Sequence, residues 1–107
     1  MNINELTIEI ENWAVDRGLH EAEPHKQMLK LMEEVGELAQ GMAKNNQEQI
    51  IDSIGDVFVV LEILSIQLNL DIGECIEHSY QEISERKGKM VNGVFVKEED
   101  LKEAGME

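Results

Sequence analysis

From about Gln47 to Leu68 the chain is apolar on nearly every side of a helix. Ile50, Ile54, Val57, Leu61, Leu64 and Leu68 cover one side, and Val59, Ile63 and Ile66 cover much of the other. A helix apolar all round has to be enclosed by protein. Within 107 residues the other short helices can hardly enclose it. The pattern therefore predicts a core that continues into a second subunit, most simply a two-fold homodimer. Two carboxylates interrupt this helix. At about 100° per residue, Asp52 and Asp56 fall within about 40° of each other, and Val59 and Ile63 extend their face. A carboxylate among buried-type residues protonates, pairs with a cation or binds a metal.

The rest of the chain reads as one domain, residues 1–107, with no linker, repeat or low-complexity tract. A first helix is expected from Asn4 to Arg17, stopped by Gly18. It carries the stripe Ile3, Leu6, Ile10, Trp13 and Ala14. Pro24 suits the first turn of a second helix running to about Lys44. Met28, Leu31, Met32, Val35, Leu38, Ala39 and Met42 form its apolar stripe. Asn46, with Gln49 three residues on, fits the start of the third helix. Asp71 with Glu74 fits the start of a fourth, ending at Gly88. Asn92-Gly93 is the preferred centre of a tight turn, so Met90 to Val96 reads as a short hairpin. The acidic tail from Glu98 reads as a frayed helical turn. The fold expected is all-α, a four-helix bundle with a C-terminal hairpin.

The second helix adds Glu33, Glu34 and Glu37 over about 100° of arc, roughly opposite its apolar stripe. An acidic arc of this kind is most often a solvated face. Here like charges crowd one another, which disfavours the helix, and only Lys30 on that face offers relief. Asp52 lies near a helix start, where the dipole favours an anion; Asp56 lies beyond that effect.

Composition narrows the function. A formal net charge of −14 repels nucleic-acid backbone and anionic lipid, which argues against both as partners, and it suits divalent cations. Cys75 is the sole cysteine, so no intrachain disulfide can form. No basic region followed by an apolar run opens the chain, and Val57 to Leu70 is short and interrupted by Glu62 and Gln67. These features lead us to expect a cytoplasmic protein.

Carboxylates from two antiparallel helices build an oxygen-rich cage that suits Mg²⁺, or Mn²⁺ in its place. No twelve-residue calcium loop is present. His20, His25 and His78 lack paired ligand spacing, which disfavours zinc. Arg86 and Lys87 flank the inner stripe of the fourth helix (Ile72, Ile76, Tyr80, Ile83) and Lys89 follows. They either complement the helix end or reach phosphate oxygens. Gly36, Gly41 and Gly55 lie within helices, where they can admit close helix approach.

Glu33-Glu34-Val35-Gly36-Glu37, followed by Ile54-Gly55-Asp56-Val57, resembles the MazG-like nucleotide pyrophosphohydrolases of the all-α nucleoside triphosphate pyrophosphatase superfamily. The run from Arg86 to Lys97 resembles the tail of small, phage-type members. The family pattern has two adjacent glutamates, a third three residues later, and an E-x-x-D on the next helix. The first residue of that last motif falls on Ser53; Asp52, one residue earlier, stays on the face of Asp56. The resemblance implies Mg²⁺-dependent hydrolysis of a nucleoside triphosphate, ribo or deoxy, to the monophosphate and pyrophosphate. It implies Glu33, Glu34, Glu37 and Asp56 as metal ligands, with Asp52 in place of the missing glutamate. It gives Glu34 and Glu37 catalytic roles, Glu34 orienting or deprotonating the attacking water. Lys30, Arg86 and Lys87 become candidates for the outer phosphates, and Trp13 for the base, although its stripe also suits the core. It further implies a homodimer, or a tetramer built as a dimer of dimers. Ser53 supports the other reading, a catalytically inactive helical protein of the same fold that binds metal or a partner.

Overall fold

The computed structural model describes residues Met1–Gly105. Helices α1 (Ile3–Asp16), α2 (Pro24–Ala43), α3 (Gln47–Gln67) and α4 (Ile72–Ser84) precede strands β1 (Gly88–Val91) and β2 (Val94–Lys97) and a short α5 (Glu98–Glu103). The chain is therefore mostly helical and carries one two-stranded antiparallel hairpin. It divides into two compact units, Met1–Ile72 and the segment from Gly73 on. No helix among the described residues is long and apolar enough to cross a membrane.

In the first unit the local chemistry sets the boundaries. The Asn2 side chain accepts from the Glu5 amide at 2.9 Å and opens α1. Gly18 follows its end in the left-handed conformation (φ 71°) that glycine adopts without steric cost. A single 3-10 turn, Leu19–Glu21, then leads to Pro24 at the head of α2. Asn46 starts α3 by accepting from the Gln49 amide at 3.1 Å. The Gln49 side chain reaches back to donate to the Glu37 carbonyl at 2.9 Å and to Gln40 Oε1 at 3.1 Å. That bond ties the start of α3 to the turn of α2 that carries Glu37.

Helices α2 and α3 form the main packing pair, with α1 and the 3-10 turn laid on α3. The face of α2 that is wholly or partly covered runs Gln27, Leu31, Glu34, Leu38 and Gly41. A Cβ on Gly41 would stand 3.1 Å from Gln49 Cγ, so this glycine sets the close approach of the two helices. Gly36 and Gly55 serve no such purpose within the chain, since nothing lies within 4 Å of a Cβ there. Ala14, Val60, Ile63 and Ile72 make up the apolar centre of this unit.

Large apolar side chains remain uncovered. On α2 these are Met28, Leu29, Met32, Val35 and Met42, on α3 Ile51, Ile54 and Leu61, with Leu68 just past its end. The expected α1 stripe also differs: Ala14 is fully buried, while Ile3, Leu6 and Trp13 keep 68%, 42% and 48% of their surface exposed.

In the second unit α4 ends at Ser84, four residues before the expected stop, because Gly88 is drawn into pairing opposite Lys97. Asn92 and Gly93 both take positive φ (50° and 80°) at the turn, as a two-residue primed turn requires. Leu101 of α5 is buried in this unit.

Candidate active site

One oxygen from each of Glu34, Glu37 and Asp56 lies within 4.8 Å of the others. Residues three apart on α2 present the two glutamates on neighbouring rows, and α3 brings Asp56 to meet them. Glu34 is buried at 6% exposure, Asp56 is partly buried and Glu37 is exposed. The trio thus runs from the interior of the α2–α3 interface to the surface.

The electrostatics are those of carboxylates lacking enough positive charge. Lys30 Nζ stands 3.3 Å from Glu34 Oε1, while Glu34 Oε2 is buried without a hydrogen-bond partner. Burial pushes the Asp56 carboxyl above its ordinary value. The charges of Asp52 and Glu34 and a hydrogen bond with Glu34 push it further, and Lys30 opposes them. A divalent cation fits the donor set: hard oxygen ligands, one of them orphaned, arranged closely enough to share an ion.

Beside this trio lies a cavity of about 610 Å³, within the range that holds small-molecule ligands. Lys30, Glu34 and Asp56 line it together with Trp13, Leu19 and Gln67. Val59, Val60 and Ile63 give it an apolar wall along α3. Acid and base stand at one end of the α3 face, and an aromatic ring with an amide completes the lining.

The remaining expected site residues are placed as follows. Glu33 is exposed and lies outside the trio. Asp52 is exposed and lines a separate cleft with Asn46, Glu48 and Gln49, yet its charge is felt at Asp56. Ser53, where the family motif has glutamate, is buried at 2% exposure. Trp13 borders the cavity instead of filling the core, with the Arg17 guanidinium 4.2 Å over its ring. Arg86 and Lys87 belong to the second unit, where they line a cleft with Lys97, Glu82 and Glu98. Gln67 is the site residue that sequence reading passed over. Its signal was present: it ends the row Asp56, Val60, Ile63, Gln67 at spacings of three and four.

A protein from Haemophilus phage HP1 (strain HP1c1), described as an uncharacterized 18.2 kDa protein in the rep-hol intergenic region, is 52% identical over 71 residues. The match covers 65% of this chain and 44% of that protein, so the chain spans less than half of its relative's length. No solved structure gives a significant match. The model of the MazG nucleotide pyrophosphohydrolase domain matches residues 22–91, the stretch that carries α2, α3 and all three converging carboxylates, and the chain belongs to that family.

Proposed function

We propose that this chain hydrolyses a nucleoside triphosphate to the monophosphate and pyrophosphate with Mg²⁺, Mn²⁺ being the alternative ion. The observation that carries this reading is the convergence of Glu34, Glu37 and Asp56 beside a cavity that Glu34 and Asp56 also line. Membership of the MazG family supports the reaction type.

In this reading Glu34, Glu37 and Asp56 hold the cation, with Asp52 adding charge beside them. A bound divalent cation offsets the charge that grows on phosphate oxygens and lowers the pKa of water. Glu34 orients the attacking water, and the exposed Glu37 takes up its proton. Water adds to the α-phosphorus as the bond to the bridging oxygen breaks, and pyrophosphate leaves. Lys30, already beside Glu34, faces the phosphates from the cavity wall.

A second copy of the chain covers the apolar stripes of α2 and α3. The exposed Met28, Met32 and Val35, with Ile51, Ile54 and Leu61, support a homodimer or a dimer of dimers. Such a surface is what an oligomer buries.

Pyrophosphate release measured over a nucleotide panel with Mg²⁺ tests the reaction. Asp56→Asn is expected to fold and assemble yet lose pyrophosphate release; wild-type rates in that variant would refute the assignment. The second reading, a metal-binding or interaction protein without turnover, is favoured by Ser53. It predicts nucleotide or metal binding with no product from any member of the panel.

A further inference from the structure

We propose that Lys26 holds the terminal phosphate of the nucleotide, so that the chain selects triphosphates over diphosphates. This rests on the nucleoside triphosphate reading given above and adds a residue to it.

Lys26 and Lys30 are the two cations that line the cavity. Both lie on α2, four residues apart, with Glu34 four residues further on. The row thus runs from Lys26 through Lys30 to the carboxylates in steps of about one turn, or about 5–6 Å. Lys30 is already drawn to Glu34, 3.3 Å away. Lys26 is exposed and makes no ion pair among the described residues, so its ammonium is free to meet an anion. Glu23 lines the cavity too, but its carboxylate leans toward His25, 3.8 Å from Nδ1. Helix stability does not account for Lys26. A cation in the first turn opposes the helix dipole, and a second cation four residues on repels it. The first turn of α2 holds no acid to offset either effect.

Charge sets the direction of the phosphate chain. Water adds to the α-phosphorus beside Glu34, Glu37 and Asp56. Beyond them the end of α2 and the start of α3 carry further acids, Glu48 and Asp52, which repel a polyphosphate. Toward the start of α2 lie Lys30 and Lys26. The rest of the cavity is lined by Val59, Ile63, Gln67 and Trp13, which carry no charge and suit the base and sugar. The first and last phosphorus of a triphosphate are separated by two bridging oxygens, a span close to one helical turn. With the α-phosphorus at the carboxylates and the next beside Lys30, the terminal group comes within reach of the flexible Lys26 stem. A lysine meets phosphate as a mobile point charge with three donors. A diphosphate lacks the group that Lys26 would hold.

The test follows release of nucleoside monophosphate, the product common to both substrates, with the full chain and Mg²⁺. ATP, GTP, CTP and UTP, ribo and deoxy, are each set against the matching diphosphate. Wild type is expected to favour the triphosphate by about tenfold or more in kcat/KM. Lys26→Met keeps the length of the stem and removes the charge. It is expected to lower kcat/KM for triphosphates by about tenfold, mainly through KM, and to change the diphosphates by less than about twofold. Inhibition by added pyrophosphate should weaken in step. A diphosphate that is not cleaved is read by its inhibition constant. Lys26→Arg should restore most of the preference, and Lys44→Met, which removes a charge at the far end of α2, should leave it intact. Equal losses for tri- and diphosphates in Lys26→Met, or no loss, overturn the assignment of Lys26 and leave the reaction standing. A wild type without preference does the same. No turnover of any triphosphate overturns the reading of the site, and this proposal falls with it.

Discussion

The Lys30 ammonium stands 3.3 Å from one oxygen of Glu34, whose other oxygen is buried and has no protein partner. Glu34 is thus half neutralised, by a lysine that is itself 55% exposed. Removing that partner leaves a buried anion to be solvated by its neighbours, both of which are acids. Lys30→Met is expected to destabilise the metal-free protein by about 1–2 kcal/mol, a figure kept small because solvent screens the lysine. Saturating Mg²⁺ should narrow that gap by supplying the missing positive charge. Thermal unfolding of both proteins in chelator and in Mg²⁺ measures it. An equal loss in the two conditions would contradict cation binding at these carboxylates.

Burial and the Asp52 and Glu34 charges raise the Asp56 carboxyl, and below that raised value a cation there has to displace a proton. Metal affinity is therefore expected to rise with pH as long as Asp56 is protonated in the metal-free protein, then level off once its raised value is passed. Asp52→Asn removes the largest neighbouring charge acting on Asp56. The plateau should then be reached at lower pH, while affinity at high pH weakens because an anion is gone. Mg²⁺ or Mn²⁺ titrations at several pH values check both halves. A flat profile in the wild type would show that no carboxyl is deprotonated on binding.

Met32 keeps 57% of its surface exposed on the apolar stripe of α2, where a second copy is expected to sit. Met32→Glu adds a charge to that stripe without touching the α2–α3 interface. Sedimentation velocity should show an oligomer for the wild type and a monomer for the variant, with helix content retained. A wild type that is monomeric at all concentrations would remove the partner subunit from the account.

Much of the fold was legible because its signals are local. Asn46 with Gln49 marks the start of α3, Pro24 the start of α2 and Asn92-Gly93 the hairpin, each through chemistry confined to a few residues. What was not legible depends on which face meets which. The apolar periodicity of α2 pointed to Met28, Leu31, Met32, Val35, Leu38, Ala39 and Met42 as its inner stripe, of which Leu31 and Leu38 are partly covered, and Glu34 fell on the far side. Within the chain α3 packs on the row Gln27, Leu31, Glu34, Leu38 and Gly41, so the glutamate is covered and the methionines are open. Trp13 likewise borders the cavity because Ala14, one residue on, takes the place against α3. The bond from Gln67 to the Leu19 carbonyl joins residues far apart in sequence, and no local pattern announces it.

Glu62 carries the last prediction. It is 2% exposed on α3, and its Oε2 has no hydrogen-bond partner. Burial raises its carboxyl above the ordinary 4.5, and the charges of Glu11 and Asp71 raise it further. Below 4.5 the folded and unfolded chains both carry the proton, and Glu62 costs little. As pH rises through 4.5 the unfolded chain ionises first and is favoured, so stability falls until the raised folded value is passed. Glu62→Gln keeps the shape and removes the charge. It is expected to stabilise the protein by about 1–2 kcal/mol at neutral pH and to leave stability at low pH nearly unchanged. Urea unfolding of the two proteins across the acid-to-neutral range measures the difference. A variant less stable than wild type at neutral pH would mean that the Glu62 anion has a compensating partner, and that the burial drawn here is wrong.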